Sequence, residues 1–122
     1  MTTQEIANRL TELMRTGKWL EAQEELFSDD IVSVEPDGGT VQGRQALAKK
    51  AQDWNEMVED VGPTEISEAL VADSYIACTL KGKMKLRGSG EEIPMDELCI
   101  YHTEGGKIVK EQFFYTPKPE FA

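Results

Sequence analysis

The chain has 122 residues, of which 39% are hydrophobic, and its 13 basic and 23 acidic side chains give a net charge of −10. This length predicts a single domain over residues 1–122, large enough to bury a core without disulfides. The negative charge argues against nucleic acid and anionic membranes as partners, since both would be repelled.

The counts of cysteine and histidine limit which metal sites the chain could form. Cys78 and Cys99 are the only cysteines, and His102 is the only histidine. This composition predicts no metal site, and the lack of a Gly-rich phosphate loop predicts no cofactor. No apolar run approaches the roughly 18 residues of a membrane helix, and no signal peptide is evident. We therefore expect a reduced, cytoplasmic chain.

The first half of the chain has the apolar spacing of helices. One helix is predicted over residues 3–16, with Gly17 as its stop signal, and a second over 18–27. Ser28, Asp29 and Asp30 are predicted to break the chain before a short strand at 31–35 and a turn at 36–39. A third helix is predicted from near Gly43 to about Val58.

The second half reads as strands over 64–72, 75–87, 92–103 and 107–116. The connections between them are too short for parallel neighbours, so an antiparallel meander is expected, with the tail at 117–119 leaving the sheet. The predicted fold class is α+β. Three N-terminal helices pack on the concave face of a curved, mostly antiparallel sheet, in the order α-α-β-α-β-β-β-β.

The last hairpin allows the two sheet faces to be assigned. If Gly105 and Gly106 form a two-residue turn, Glu104 pairs with Lys107, and alternation places one set of residues on the inner face. A three-residue bulged turn, the open alternative, would exchange the faces. The predicted inner set is Asp96, Leu98, Ile100, His102, Val109, Glu111, Phe113 and Tyr115.

Two carboxyl groups in this set are candidate catalytic residues, namely Asp96 and Glu111. A carboxyl group on an apolar concave surface is costly to bury unless it is paired or neutral, which favours ligand contact or acid–base work. Their predicted separation of roughly 13 Å along the strands excludes a glycosidase-like pair. The candidate ligand-binding residues are Trp54, Tyr115, Phe113, Leu98, Ile100, Glu35, Asp37 and His102.

The outer face of the same hairpin is predicted to be partly apolar as well. An exposed apolar patch of this kind is typical of an interface, so we expect a homodimer through the outer sheet face. The residues predicted to form this patch are Met95, Cys99, Tyr101, Ile108 and Phe114.

The order of elements and several local motifs resemble the SnoaL-like, nuclear-transport-factor-2-like superfamily over nearly the whole chain. The motifs are GKW at 17–19, LFSDD at 26–30, GRQAL at 43–47, GKIV at 106–109 and FFY at 113–115. The resemblance implies a cone-shaped fold with a pocket. The superfamily includes polyketide cyclases, isomerases, dehydratases and non-catalytic modules, so fold alone does not decide the activity.

Two functions therefore stay open. The first is a pocket for a small hydrophobic molecule that carries out cofactor-free proton transfer, as in an isomerase, cyclase or dehydratase. The second is a non-catalytic ligand-binding or dimerisation module. A ketosteroid isomerase constellation is not expected, because Leu10, Pro36 and Leu98 occupy the positions where the resemblance would place its acidic and phenolic groups.

Overall fold

The computed structural model describes residues 1–116, and the tail predicted to leave the sheet at 117–119 lies outside this range. The architecture is α+β, as predicted, with three helices against a curved sheet. No helix in the described part of the chain is long and apolar enough to span a membrane. The elements are α1 (Thr3–Arg15), α2 (Trp19–Leu26), β1 (Phe27–Val34), β2 (Thr40–Gln42), α3 (Arg44–Met57), β3 (Val58–Val61), β4 (Glu65–Ile66), β5 (Leu70–Ala72), β6 (Tyr75–Leu86), β7 (Glu92–Glu104) and β8 (Lys107–Phe114).

The sheet is built around the two long strands β6 and β7. Its order is β2-β1-β8-β7-β6-β3, and β4 and β5 pair with other parts of β6. β1 runs parallel to β8, while the remaining ladders are antiparallel. The sequence pattern missed β2 and β3 and merged β4 with β5, because strands of two to four residues carry too little periodicity to be recognised. Residues 28–30 do not break the chain but continue β1, where the pairing with β8 is irregular.

Capping interactions at both ends explain where the first helix begins and ends. Thr2 Oγ1 accepts a hydrogen bond from Glu5 N at 3.1 Å, and Thr2 N donates to Glu5 Oε1 at 2.9 Å, which forms a capping box. At the other end Gly17 adopts a φ of 72°, and Lys18 N donates to Leu13 O at 2.8 Å, which ends the helix as predicted. The apolar stripe of α1 then packs into the main core through Ile6, Leu10, Leu13 and Met14.

The register of the last hairpin differs from the prediction after its first two pairs. Glu104 pairs with Lys107 and Thr103 with Ile108, as expected for a two-residue turn in which Gly105 and Gly106 both have positive φ. His102 then pairs with Lys110, so Val109 is an extra residue in β8. This β-bulge changes which β7 residue shares a face with each later residue of β8, because side chains alternate with a period of two.

The bulge corrects the predicted faces of β7. Asp96, Leu98, Ile100 and His102 lie on the outer face, whereas Glu111 and Phe113 remain on the inner face as predicted. The predicted outer patch is wrong for the same reason. Of its members, Cys99, Tyr101 and Ile108 are buried in the main core, and Met95 packs against it, so only Phe114 is exposed.

Helix α3 is held on the sheet by its C-terminal end. Arg87, just beyond β6, donates from Nε to Glu56 O at 3.0 Å and from Nη2 to Val58 O at 3.0 Å. These carbonyls have no helical partner, so the guanidinium group both satisfies them and opposes the negative end of the helix dipole.

We predict that Arg87→Ala lowers the free energy of unfolding by about 1 kcal/mol, because two helix-terminal carbonyls lose a charged donor at an exposed site. Urea denaturation followed by circular dichroism measures this loss. Lys83→Ala, which removes an exposed cation from β6 without touching the helix, is the matched control. Equal losses for the two variants would contradict a capping role.

Candidate functional site

The bulge in β8 places one carboxyl group deep in the concave side of the sheet. Glu111 is only 6% exposed, and its neighbours in the same inner row are Ser33 on β1 and Tyr101 on β7. Ser33 and Tyr101 are buried too, at 0% and 3% exposure. A glutamate in such a row is surrounded by protein on both sides and cannot keep its full hydration shell.

Burial changes the acidity of this carboxyl group. Loss of hydration raises the pKa of Glu111 to about 7, although the nearby Ser33 hydroxyl and the Lys50 ammonium favour the charged form. The Ser33 hydroxyl is fully buried and lies beside this carboxyl group. Near neutral pH the carboxyl group of Glu111 is therefore divided between its neutral and ionised forms, which is the condition for transferring a proton.

Lys50 brings a positive charge to the same region from α3. Its ammonium forms an ion pair with Glu35, the residue that follows β1. Burial lowers the pKa of Lys50, while the carboxylates of Glu111 and Glu97 oppose that change. Helical spacing accounts for its position, since Lys50 lies three residues after the buried Leu47 and four before the half-buried Trp54.

A second inward carboxyl group lies on β7, four residues before the register partner of Glu111. Glu97 shares the inner face of β7 with Cys99 and Tyr101 and is half-buried. Burial raises the pKa of Glu97, and the charge of Lys50 opposes this rise. The pKa of Tyr115 is also raised, by burial and by the negative charges of Glu97 and Asp37.

We call the group of Glu35, Lys50, Glu97 and Glu111 the charged mouth. It consists of one ammonium on α3 and three carboxyl groups, which lie on β7, on β8 and directly after β1.

The cysteines and Tyr101 lie on the same inner face as Glu97 and Glu111. Cys78 and Cys99 face each other across β6 and β7, and both are buried free thiols. The adjacent Cys78 thiol and burial raise the pKa of Cys99, so it is not primed as a nucleophile. The Tyr101 hydroxyl contacts Met14 Sδ at 4.0 Å, and burial raises its pKa well above the ordinary value.

Two of the open crevices on the surface formed by residues 1–116 lie away from Glu111. The larger, about 700 Å³, lies where α2 meets the start of α3 and is lined by residues that include Leu20, Asp29 and Arg44. The other, about 620 Å³, lies along the β6 edge near Gly62 and Pro63. The apolar pocket expected from the sequence therefore stays a prediction.

The structure brings together only part of the predicted site. Glu111 and Phe113 face inward, Glu35 belongs to the charged mouth, and Trp54 packs against a small cluster at the end of α3. The other predicted residues lie elsewhere. On the outer face, Asp96 and Leu98 are exposed and Ile100 is half-buried. His102 stacks on Tyr75, with ring centroids 4.5 Å apart. Asp37 lies in an exposed turn, and Tyr115 follows the end of β8 with 36% exposure.

Four residues of the site were not predicted, namely Lys50, Glu97, Ser33 and Tyr101. The helical stripe of α3 could have indicated Lys50, since its spacing from Leu47 and Trp54 is visible in the sequence. Ser33 alternates with the apolar Ile31 along β1, which could have indicated its inward position. Glu97 and Tyr101 depend on the bulge at Val109, which leaves no recognisable mark in the sequence.

We predict that the stability of the protein falls as pH rises from about 4.5 to about 7, through the raised pKa of Glu111. The folded state holds this proton more tightly than the unfolded chain, so the stabilisation is complete at low pH and is lost above the folded pKa. Glu111→Gln cannot titrate. Its stability relative to the parent should therefore improve by about 3 kcal/mol between about pH 4 and about pH 8.

Urea denaturation across this pH range measures the effect, and Asp96→Asn on the exposed outer face is the matched control. Parallel pH profiles for the parent and Glu111→Gln would show that Glu111 titrates normally.

Comparison with known proteins agrees with this architecture. A crystal structure from Mesorhizobium loti, provisionally named a SnoaL-like polyketide cyclase and also labelled a carbohydrate phosphatase, is 34% identical. The match covers 94% of this chain and 100% of that one, with a TM-score of 0.87.

Two more distant structures share the fold. A nuclear-transport-factor-2-like protein of unknown function from Burkholderia pseudomallei is 13% identical over 95% of this chain and 92% of its own, with a TM-score of 0.79. A protein of unknown function with a cystatin-like fold from Xanthomonas campestris is 19% identical over 93% and 90%, with a TM-score of 0.78. No functionally curated protein matches the chain. The sequence profile of the SnoaL-like domain matches residues 1–115, and the chain belongs to this family.

Proposed function

We propose that the charged mouth admits a small, largely apolar molecule and that Glu111 transfers a proton to or from it without a cofactor. The observation that carries this proposal is a nearly buried carboxyl group with a pKa of about 7 on the concave side of the sheet. A base whose pKa lies near the working pH combines a useful ionised fraction with sufficient basicity. This supports isomerisation, cyclisation or dehydration as the reaction class.

The surroundings of Glu111 support a base of this kind. Lys50 keeps part of the Glu111 population ionised, and Tyr101 and Cys99 form a weakly polar floor that limits hydration of the carboxylate. A poorly hydrated carboxylate removes a proton from carbon more readily than one in bulk water, because less solvent must rearrange. The 34% identical relative from Mesorhizobium loti carries a polyketide cyclase name, which is compatible with proton transfer.

A non-catalytic binding module is the second candidate. The observation that favours it is that Glu111 is only 6% exposed, so a substrate would have to widen the charged mouth to reach the carboxyl group. In that case the raised pKa of Glu111 would make ligand affinity depend on pH, and no reaction would follow binding. The cytoplasmic location expected from the sequence belongs to either function and stays a prediction.

We predict that the protein accelerates ring opening of 5-nitrobenzisoxazole, an apolar carbon acid whose elimination requires only a base. The rate should rise with pH through about 7, following ionisation of Glu111. Glu111→Gln should remove at least about 90% of the rate above buffer, since amides do not accept this proton. Asp96→Asn should retain it. Absorbance of the phenolate product measures the reaction, and a rate unaffected by Glu111→Gln would overturn the assignment of the base.

We also propose a homodimer through the outer sheet face, with residues that differ from those expected from the sequence. Leu98 on β7 and Phe114 on β8 are register partners on this face, and they are 41% and 46% exposed. Ile100 lies beside them on β7, and Tyr75 extends the same face onto β6. Adjacent exposed apolar side chains on a sheet favour burial against a second copy.

We predict a dimer in sedimentation velocity at micromolar concentration. Leu98→Lys should shift it to the monomer, because a lysine would have to be desolvated in the interface. Leu20→Lys, at a similarly exposed leucine on α2, should leave the dimer intact. A parent protein that sediments as a monomer would contradict the proposal.

A further inference from the structure

Two thiols that the proposed reaction does not use lie opposite each other in the core. Cys78 on β6 and Cys99 on β7 are register partners, and the pairing on both sides of them is regular. Both are free thiols, with exposures of 2% and 0%, and they are the only cysteines of the chain. Each thiol therefore has one possible disulfide partner within its own molecule.

The hydrogen-bond pattern of β6 and β7 sets the distance between the two cysteines. Thr103 N donates to Ser74 O at 2.9 Å, so this opposed pair is of the hydrogen-bonded type. Such pairs recur at every second residue, so Cys78 and Cys99 form one as well, with Cα atoms roughly 5.5 Å apart. Disulfides form at Cα separations of roughly 4.4–6.8 Å. The backbone thus already holds the two residues at a distance that a disulfide bridges.

The two thiols differ in acidity, although they share one face of the sheet. The hydrogen bond from Cys99 and the charge of Arg15 lower the pKa of Cys78, while burial opposes this change. The adjacent Cys78 thiol and burial raise the pKa of Cys99. Cys78 is therefore the thiol that ionises first, and Cys99 stays protonated beside it. This is the division of roles between an attacking and a resolving thiol.

We propose that Cys78 and Cys99 form an oxidation site, at which hydrogen peroxide closes an intramolecular disulfide between β6 and β7. The sulfur of Cys78 first attacks one peroxide oxygen. The O–O bond breaks, and the departing hydroxide takes up the proton of Cys78, which gives water and a sulfenic acid. The sulfur of Cys99 then attacks that of Cys78. The S–S bond forms, the S–O bond breaks, and the hydroxide leaves with the proton of Cys99 as a second water. The sulfurs lose two electrons, which reduce the peroxide.

Burial selects both the oxidant and the product. The thiols belong to the main core, together with the apolar stripe of α1, so an oxidant reaches them only during local opening. Opening on this scale admits a small peroxide and excludes a bulky disulfide such as oxidised glutathione. Because Cys99 already lies beside Cys78, it reaches the sulfenic acid before a second peroxide does. The product is therefore a disulfide, which thiols can reduce, and not a sulfinic acid, which they cannot.

The test is peptide mapping after the folded protein has been exposed to hydrogen peroxide, with the remaining free thiols blocked by N-ethylmaleimide in denaturant. The peptides of Cys78 and Cys99 should be joined within one chain, both thiols should be lost together, and dithiothreitol should restore both. Oxidised glutathione at the same concentration should leave both thiols free. Thiols that stay free in peroxide, a cross-link between two chains, or a mixed disulfide with glutathione would overturn the proposal.

Matched variants separate the roles of the two thiols. In Cys99→Ser the sulfenic acid has no resolving thiol, so dimedone, which traps sulfenic acids, should label Cys78 at least about tenfold more than in the parent. In Cys78→Ser, labelling of Cys99 should stay at the low level of the parent, because the pKa of Cys99 is raised. Equal labelling of Cys78 in the parent and in Cys99→Ser would overturn the proposal.

Circular dichroism confirms that each variant is folded. The peptide map of the parent protein tests the disulfide even if a variant fails to fold. Neither measurement depends on catalysis by Glu111, so this proposal and the proposed function succeed or fail separately.

Discussion

The bulge at Val109 is the constraint on which the site depends. A single extra residue in β8 changes which residues of β7 share a face with Glu111 and the later residues of β8. Without it, the turn at Gly105 and Gly106 would direct Asp96 inward and Glu97 outward. With it, Glu97, Cys99 and Tyr101 join Glu111 on the concave side. The position of the carboxyl groups thus follows from backbone pairing and not from their own chemistry.

Burial of Glu111 has a cost that the structure only partly offsets. Lys50 and the hydroxyl of Ser33 favour the carboxylate, yet the pKa remains near 7, which means that loss of hydration dominates. A core built for stability alone would place an apolar side chain at this position. The retained cost is understandable if the carboxyl group acts on a ligand, since functional sites commonly sacrifice stability in this way.

The charged mouth couples the helices to the sheet. The Lys50–Glu35 pair links the middle of α3 to the end of β1, and Arg87 holds the far end of α3 beside β6. The ammonium of Lys50 also acts on two carboxyl groups on neighbouring strands. Any movement of α3 would therefore change the electrostatic environment of Glu111 and Glu97 together, so that the protonation of both groups depends on the position of the helix.

The sequence by itself determined the elements with strong local signals. The three long helices, the Gly17 stop, the Gly-Gly turn, the long strands β6 and β7 and the inward position of Glu111 and Phe113 all follow from periodicity and turn chemistry. The family follows from the same motifs. The short strands β2 and β3 have too few residues for a period to be visible.

Only the tertiary structure decided which carboxyl groups share the concave side. The inward position of Glu97 and the outward position of Asp96, Leu98, Ile100 and His102 depend on one unpaired valine. A bulge within a strand is selected by the twist and pairing of the whole sheet, whereas local sequence preferences act only over a few neighbouring residues.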